Sequence, residues 1–385
     1  MPFIGNKPTA IPLSADDLED NIISTAKIQD NAVTAAKYIE PIPFRNIIIN
    51  GDMSIAQRST SETGQTSSGY ICVDRFRHGI NNQGTWTISQ DTTVPSGQGF
   101  AKSMKMDCTT ADASPAADDY IWFEQKIEGL ANLQHLKKGT SNAESVTVSF
   151  WVNATKTGTN VLELYDKDNT RHICQTYTIN SSNTWEKKTI TFDADTTGTF
   201  NFDNGESASL LFWIGAGSNY TSGALDTTWG SVSGRAAHRA GGQVNHADST
   251  SNNFYLTGIQ MEAGTTASDF EFLPVDVQTQ RCLRYYETSM SYGVYSQYHG
   301  QQVVFGAGSA TFGGATSFAS GRQYKVWKRA NPTVTLYHQD GTSGAVYTVY
   351  NAAKITGVVA QHLNQSGFLY ANKSSAFEQA YGYYY

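Results

Sequence analysis

Two carboxylates held about 5–10 Å apart are enough to hydrolyse a glycosidic bond. The candidates are Asp118 and Asp119 ahead of Tyr120, Glu124 in IWFEQKIEG, and Glu163 and Asp166 in VLELYD. Adjacent residues on a strand point to opposite faces, so Asp118 and Asp119 are a poor pair. They follow the turn-forming stretch ADASPAA, which predicts a solvated loop. His238, His246 and Asp248 are the metal candidates. Their spacings of eight and two match no common zinc pattern and no cysteine accompanies them, so they are expected to be surface residues of a polar loop. No G-x-S-x-G elbow is present, and GVVAQ and GAGSATFGGA lack the strand–loop–helix context of a phosphate loop. These residues point to no catalyst, no metal and no cofactor.

Recognition without catalysis needs other side chains. Sugars present apolar C–H faces that pack on aromatic rings, and neutral polar groups satisfy their hydroxyls. From Tyr285 onward the chain holds 14 of its 21 tyrosines and closes on YGYYY. Tyr381, Tyr383, Tyr384 and Tyr385 are therefore candidate ligand-binding residues, with an interface between chains as the alternative use. Tyr220 and Trp229 form a second candidate pair, in the interval 217–253. That interval has few apolar residues and no alternation. Loops of such length are uncommon and often functional, so it is either a binding loop or an interface arm.

Only 16% of the 385 residues are charged, against about 25% in an ordinary globular protein, while 12% are aromatic. Thr, Ser, Asn, Gly and Tyr make up the difference, a composition that suits β-structure with polar turns. A net charge of −7 without a Lys/Arg cluster argues against nucleic acid as a partner. No segment approaches the roughly 20 apolar residues of a membrane span, so no membrane insertion is expected. The start MPFIGNKPTAIPLS does not read as a signal peptide. Cys72, Cys108, Cys174 and Cys282 are far apart and are expected to be free, buried thiols.

The expected fold is mainly β: a jelly-roll sandwich over residues 46–273 and a small β domain over 289–385, with an extended arm over 1–45. Strands are predicted from alternation at 145–152, 161–165, 188–192, 210–214 and 254–261. Six of the seven tryptophans fall in the sandwich and are expected mostly in its core or on sheet faces. Helical spacing of Val277, Arg281 and Arg284 predicts a short linker helix within 274–288, with Asp276 or Thr279 as its cap. In the arm, DNIISTAK is followed ten residues on by DNAVTAAK. Leu18, Ile22, Ile23, Ile28 and Val33 are too few to offset the ordering entropy of a lone chain. Short repeats become stable when neighbouring chains supply the missing buried surface, so the arm reads as an oligomeric stalk or docking segment.

Three stretches together resemble bacteriophage tail fibres, particularly those carrying a jelly roll like that of carbohydrate-binding modules. They are IGNKPTAIPLSADDLEDNIISTAKIQDNAVTAAKY; the pair NIIINGDMSIAQRS and FYLTGIQMEAGTTASDFEFLP, similar to the first and last strands of that jelly roll; and QRCLRYYETS with WKRANPTV. The resemblance implies a non-enzymatic, homotrimeric fibre of the virion tail, made in the host cytoplasm. Its arm would attach to phage tail proteins and its distal domain would touch host surface polysaccharide or another receptor. In a trimer the arm's Ile and Val residues would stack about one axis. Such jelly rolls often hold a structural calcium near the last strand, but Leu256-Thr257-Gly258-Ile259 lacks a carboxylate pair, so that site is not expected. The alternatives are a structural connector or decoration protein of the virion, and a polysaccharide depolymerase.

Overall fold

The computed structural model describes residues 44–289, 303–305, 309–312, 315–318, 320–338, 340–348, 353–361, 363–371 and 380–384. Leu18, Ile22, Ile23, Ile28, Val33 and Tyr385 lie outside them. The strands expected from alternation form, generally a few residues longer than the pattern. In chain order the first eleven are β1 (Ser61–Gly69), β2 (Phe76–Asp91), β3 (Ser103–Thr110), β4 (Tyr120–Glu128), β5 (Val146–Ala154), β6 (Gly158–Asp166), β7 (Arg171–Ile179), β8 (Glu186–Phe192), β9 (Glu206–Ala216), β10 (Gly230–Ser231) and β11 (Asn253–Ala263). A one-turn helix α1 (Ser218–Thr221) lies between β9 and β10, and α2 (Val275–Leu283) follows β11.

The hydrogen-bonded order is β10-β7-β6-β9-β4-β2-β3-β11-β5-β8, with β1 also on β2. Its 16-residue strand β2 makes the fold a sandwich. The first half of β2 pairs with β4 from Phe76 to Asn82, and the second half pairs with β3 from Thr85 to Asp91. One strand thus serves two layers: β10-β7-β6-β9-β4-β2 and β2-β3-β11-β5-β8. Alternation then assigns every other residue to the space between layers. Phe76, Phe123, Leu162, Leu164 and Phe212 enter it from the first layer, and Trp86, Met104, Val148, Phe150 and Leu256 from the second; all are buried. Phe150 meets Phe212 and Tyr177 across the gap edge to face, each with ring centroids 5.0 Å apart. This is the mainly β jelly roll that composition and periodicity lead one to expect.

Residues 46–59 differ from the first strand that the resemblance suggested. They run as irregular but buried chain beneath β11. Asn46 Oδ1 accepts from the amides of Ile48 and Met261, and φ of +63° at Asn50 and +59° at Met53 turns the backbone out of a strand course. Ile47, Ile48 and Met53 still enter the core. The α2 helix has the expected place, but neither proposed cap acts. Pro274 occupies the N-cap position without a side-chain cap, and Thr279 Oγ1 donates back to Val275 O at 2.7 Å. Cys282 on this helix packs with Ile49 and Ile55. The four cysteines are buried and free, as expected.

Beyond α2 the described strands are short and antiparallel. Strand Ala380–Tyr384 is the best connected: Tyr381 pairs with Val304 and with Tyr347, Tyr383 with Tyr337, and Tyr384 with Leu336. Lys328 is buried here, its Nζ donating to Leu283 O at 2.6 Å. No helix among the described residues is long and apolar enough to cross a membrane.

Candidate functional site

The outward face of the first layer concentrates aromatic and charged side chains. Strand β4 reads YIWFEQKIE, so Tyr120, Trp122, Glu124 and Lys126 share its outer face while Ile121, Phe123 and Ile127 enter the core. Register places Arg77, Glu124, Leu211, Glu163 and Cys174 in one row across β2, β4, β9, β6 and β7. In the next row Gly79 lies beside Trp122, and Trp122 beside Trp213. Gly79 is required there: a Cβ would fall 2.2 Å from the Trp122 ring, which lies over the bare backbone.

The rings form a continuous wall. Tyr120 stacks on Trp122 with centroids 4.0 Å apart at 15°, Trp122 meets Trp213 at 5.0 Å, and Tyr220 closes against Tyr120 at 5.6 Å. Trp213 is fully buried, whereas Tyr120, Trp122 and Tyr220 are half-buried. The indole Nε1 of Trp122 is screened from solvent and has no hydrogen-bond partner in the protein. Beside it Arg77 Nη1 donates to Glu124 Oε1 at 2.5 Å. An aromatic step with an unsatisfied donor, flanked by an ion pair, can take a flat apolar face bearing hydroxyls.

The interval 217–245 covers the remainder of this face instead of standing free. Its Arg239 reaches Glu163 Oε1 at 2.8 Å, while Trp213 Nε1 donates to Glu163 Oε2 at 3.0 Å. His172 lies between two carboxylates, Nδ1 3.0 Å from Glu163 and Nε2 3.0 Å from Asp226. Burial works against the Glu163 carboxylate, but Arg239 and His172 prevail and hold its pKa below the ordinary value. Asp226 is lowered too, first by its bond from Arg235. Glu163, His172 and Cys174 place their donor atoms within 4.8 Å of one another, a spacing that would suit a metal ion. The donor set does not fit one. Both Glu163 oxygens are already bonded, Arg239 brings a positive charge to the same carboxylate, and burial pushes the Cys174 thiol far up. The cluster is an ionic latch that holds the loop to the sheet.

Other residues singled out in the sequence have different fates. Asp119 is buried instead of solvated, because its Oδ2 caps the turn by accepting from Ala116 N at 2.7 Å. Asp166 is buried against Lys138 Nζ at 2.5 Å. His246 is fully buried, not at the surface: Nε2 contacts Asn160 Oδ1 at 2.7 Å and the ring packs edge-on against Phe254. His238 Nδ1 lies 2.6 Å from Ala224 O, and Asp248 pairs with Lys156. Tyr220 joins the aromatic wall, but Trp229 does not. It packs at the edge of the main core, with Nε1 donating to Asp193 O at 2.7 Å. Tyr381, Tyr383 and Tyr384 lie in the terminal strand and are not part of this face. Sequence pattern does not single out Tyr120 and Trp122 as part of this wall, although their i, i+2 spacing with Glu124 and Lys126 places all four on one strand face.

No family model matches the sequence, and no curated protein matches it. Among solved structures the chain is similar to the enzymatically active domain of tailspike protein 4 of bacteriophage CBA120, with 12% identity over 58% of this chain and a TM-score of 0.30. That match spans 22% of the tailspike chain's length. It is also similar to a family 61 carbohydrate-binding module in complex with β-1,4-galactotriose, with 9% identity over 57% of this chain and 99% of the module, TM-score 0.29. A third is the family 11 carbohydrate-binding module of Clostridium thermocellum in complex with a mixed-linked tetrasaccharide, with 12% identity over 54% and 98%, TM-score 0.26.

Proposed function

We propose that this protein is a non-catalytic glycan-binding adhesin whose site is the aromatic wall on the outer face of the first layer. The observation that carries the reading is the half-buried Tyr120–Trp122 stack with its unpartnered indole donor beside the Arg77–Glu124 pair. A sugar ring laid against the half-exposed side of the Tyr120–Trp122 wall would cover its C–H face and bring hydroxyls to the Arg77–Glu124 pair. Four of the five candidate carboxylates, Asp119, Glu124, Glu163 and Asp166, are each engaged by a protein donor, and Asp118 is exposed apart from them, which supports a non-catalytic role.

The larger assembly follows from the segments that resemble tail fibres. In this proposal residues 1–45 are the virion-attachment and trimerisation arm, 46–273 the glycan-binding jelly roll, 274–288 the linker helix and 289–385 a host-contacting tip. Three weak sites per fibre would act together, since linked sites bind far more firmly than one alone. Glycan-array binding of the full chain against Trp122→Ala tests the site: equal binding by both would refute it. Sedimentation velocity tests the assembly, with an elongated species of three times 42.0 kDa expected and a compact monomer contradicting it.

A further inference from the structure

At the other end of the first layer's outer face, where β4 passes beneath the segment after α2, lies a cleft of roughly 190 Å³. Its charges do not cancel locally. The carboxylates are occupied. Glu128 accepts from Arg284 Nε at 3.0 Å and from the Tyr285 hydroxyl at 2.6 Å, and Glu206 accepts from Lys126 at 2.9 Å. Asp74 takes the amide and side chain of Gln57, leaving Arg58 at 3.9 Å.

The arginines are less well matched. Arg75 is only 7% exposed, yet it forms no ion pair among the described residues. Its Nη2 donates to the Lys126 carbonyl at 2.6 Å, and its buried Nε has no partner. Arg329 Nη1 is likewise spent on a carbonyl, that of Asn204. Two guanidinium groups are held by their faces, Arg75 3.4 Å above the Tyr285 ring and Arg58 3.6 Å above Tyr286. Stacking of that kind fixes the planes and leaves N–H edges for an in-plane acceptor. Arg75 is held there with φ at +75°, a left-handed conformation that a bulky side chain adopts only where its surroundings enforce it.

We infer that this cleft binds an anionic saccharide unit, its carboxylate or phosphate received by the edges of the Arg58 and Arg75 guanidinium groups. The word saccharide rests on the glycan-binding reading above; the anion does not. Carboxylate and phosphate present the same paired oxygens to a guanidinium fork, and the choice between them is left to the ligands tested.

The test is calorimetry on the full chain with galacturonate, galactose 6-phosphate and galactose at low ionic strength. At least one anionic sugar is expected to bind about tenfold or more above galactose, as suits a bond to a charged group. Preference for only one of the two identifies the anion. Arg58→Gln should abolish the preference, whereas Trp122→Ala should leave it while weakening neutral glycans, so the two readings fail separately. If Arg58→Gln does not fold, the wild type decides, because the preference must collapse in about 1 M salt, where the screening length is about 3 Å. Equal affinity for all three sugars, or a preference that survives both Arg58→Gln and salt, would overturn the inference.

Discussion

The two outward faces of the sandwich obey the same alternation and end in different chemistry. On the second layer the outward positions of β5 and β8 are mostly small hydroxyl residues beside one tryptophan: Thr147 faces Thr191, Ser149 faces Thr189, and Trp151 faces Lys187. These cross-strand pairs stabilise the sheet, and Thr147 Oγ1 also donates to Gly264 O at 2.7 Å. On the first layer the corresponding positions carry Arg77, Glu124, Trp122, Trp213, Glu163 and His172, and the interval 217–245 lies over half of them. Thr147 and Ser149 are buried as well, so burial alone does not make a site; on the first layer the covering segment brings charge and rings, and burial strengthens each remaining charge and fixes each ring.

The latch beneath that segment offers the largest way to break the contrast. Glu163 is fully buried and holds Arg239, His172 and Trp213 together. Glu163→Gln keeps the shape but leaves the Arg239 charge uncompensated, with an expected loss of about 3–5 kcal/mol in unfolding free energy. Proteolysis within 217–245 should accelerate in parallel. Thr189→Ala on the opposite face should stay within about 0.5 kcal/mol of wild type. Chemical denaturation of both variants checks this, and equal costs would show that the latch holds nothing.

Acid should also act on the two layers unequally. His78 on β2 and His246 beyond the loop are buried and neutral, burial lowering them from 6.5 to about 4 and about 3. Each has one ring nitrogen without an acceptor, so a second proton has no partner inside. Lys156 further disfavours charge on His246, while Asp248 opposes it only weakly. The unfolded chain takes up these protons near pH 6.5 and the folded chain does not. Stability should therefore be constant above pH 6.5, fall from there to about pH 4 for His78 and about pH 3 for His246, and level off for each group below its folded pKa. The expected loss is a few kcal/mol for each histidine. Depressed carboxylates such as Glu163 add their loss only at lower pH. His78 sits on β2 against Phe123 of β4, and His246 sits against Asn160 of β6 and Phe254 of β11, so hydrogen exchange should rise first in these strands and last in β5 and β8. A flat profile from pH 7 to 5 would contradict buried neutral histidines.

Sequence pattern carried the fold further than it carried the site. Runs such as SVTVSFWV announce Val146–Ala154 because one-face burial needs only a period of two. Residues 46–59 break the expectation because NIIING is apolar enough for a strand, while Asn46 and Asn50 use their side chains as backbone surrogates. His246 read as a surface residue because its flanks are polar. Its Nε2 meets Asn160, 86 residues away, while its ring packs on Phe254, and no local rule contains the first contact. The same holds for the arginine cleft, since Arg75 and Tyr285 meet only through the complete fold. Tyr220 was legible as an aromatic in an odd loop, but its role depends on Tyr120 and Trp213 from two other strands.

The smallest effects bear most directly on recognition. Both outward faces carry tryptophan: Trp122 on the first, and Trp151 on the second, with Trp185 against Tyr255 nearby. If any exposed ring served, Trp151→Ala and Trp122→Ala would weaken glycan binding alike. The geometry favours Trp122 alone, because it is stacked by Tyr120, abutted by Trp213 and seated on Gly79. Trp122→Ala should therefore lower affinity by about tenfold, some 1.4 kcal/mol, and Trp151→Ala by less than about twofold. Gly79→Ala separates position from composition. It retains every ring but places a methyl 2.2 Å from the Trp122 indole, which must swing away from Tyr120. Its affinity should fall nearly as far as that of Trp122→Ala. Gly79→Ala with wild-type affinity would mean that the ring's placement, and with it the distinction between the two faces, does not matter to binding.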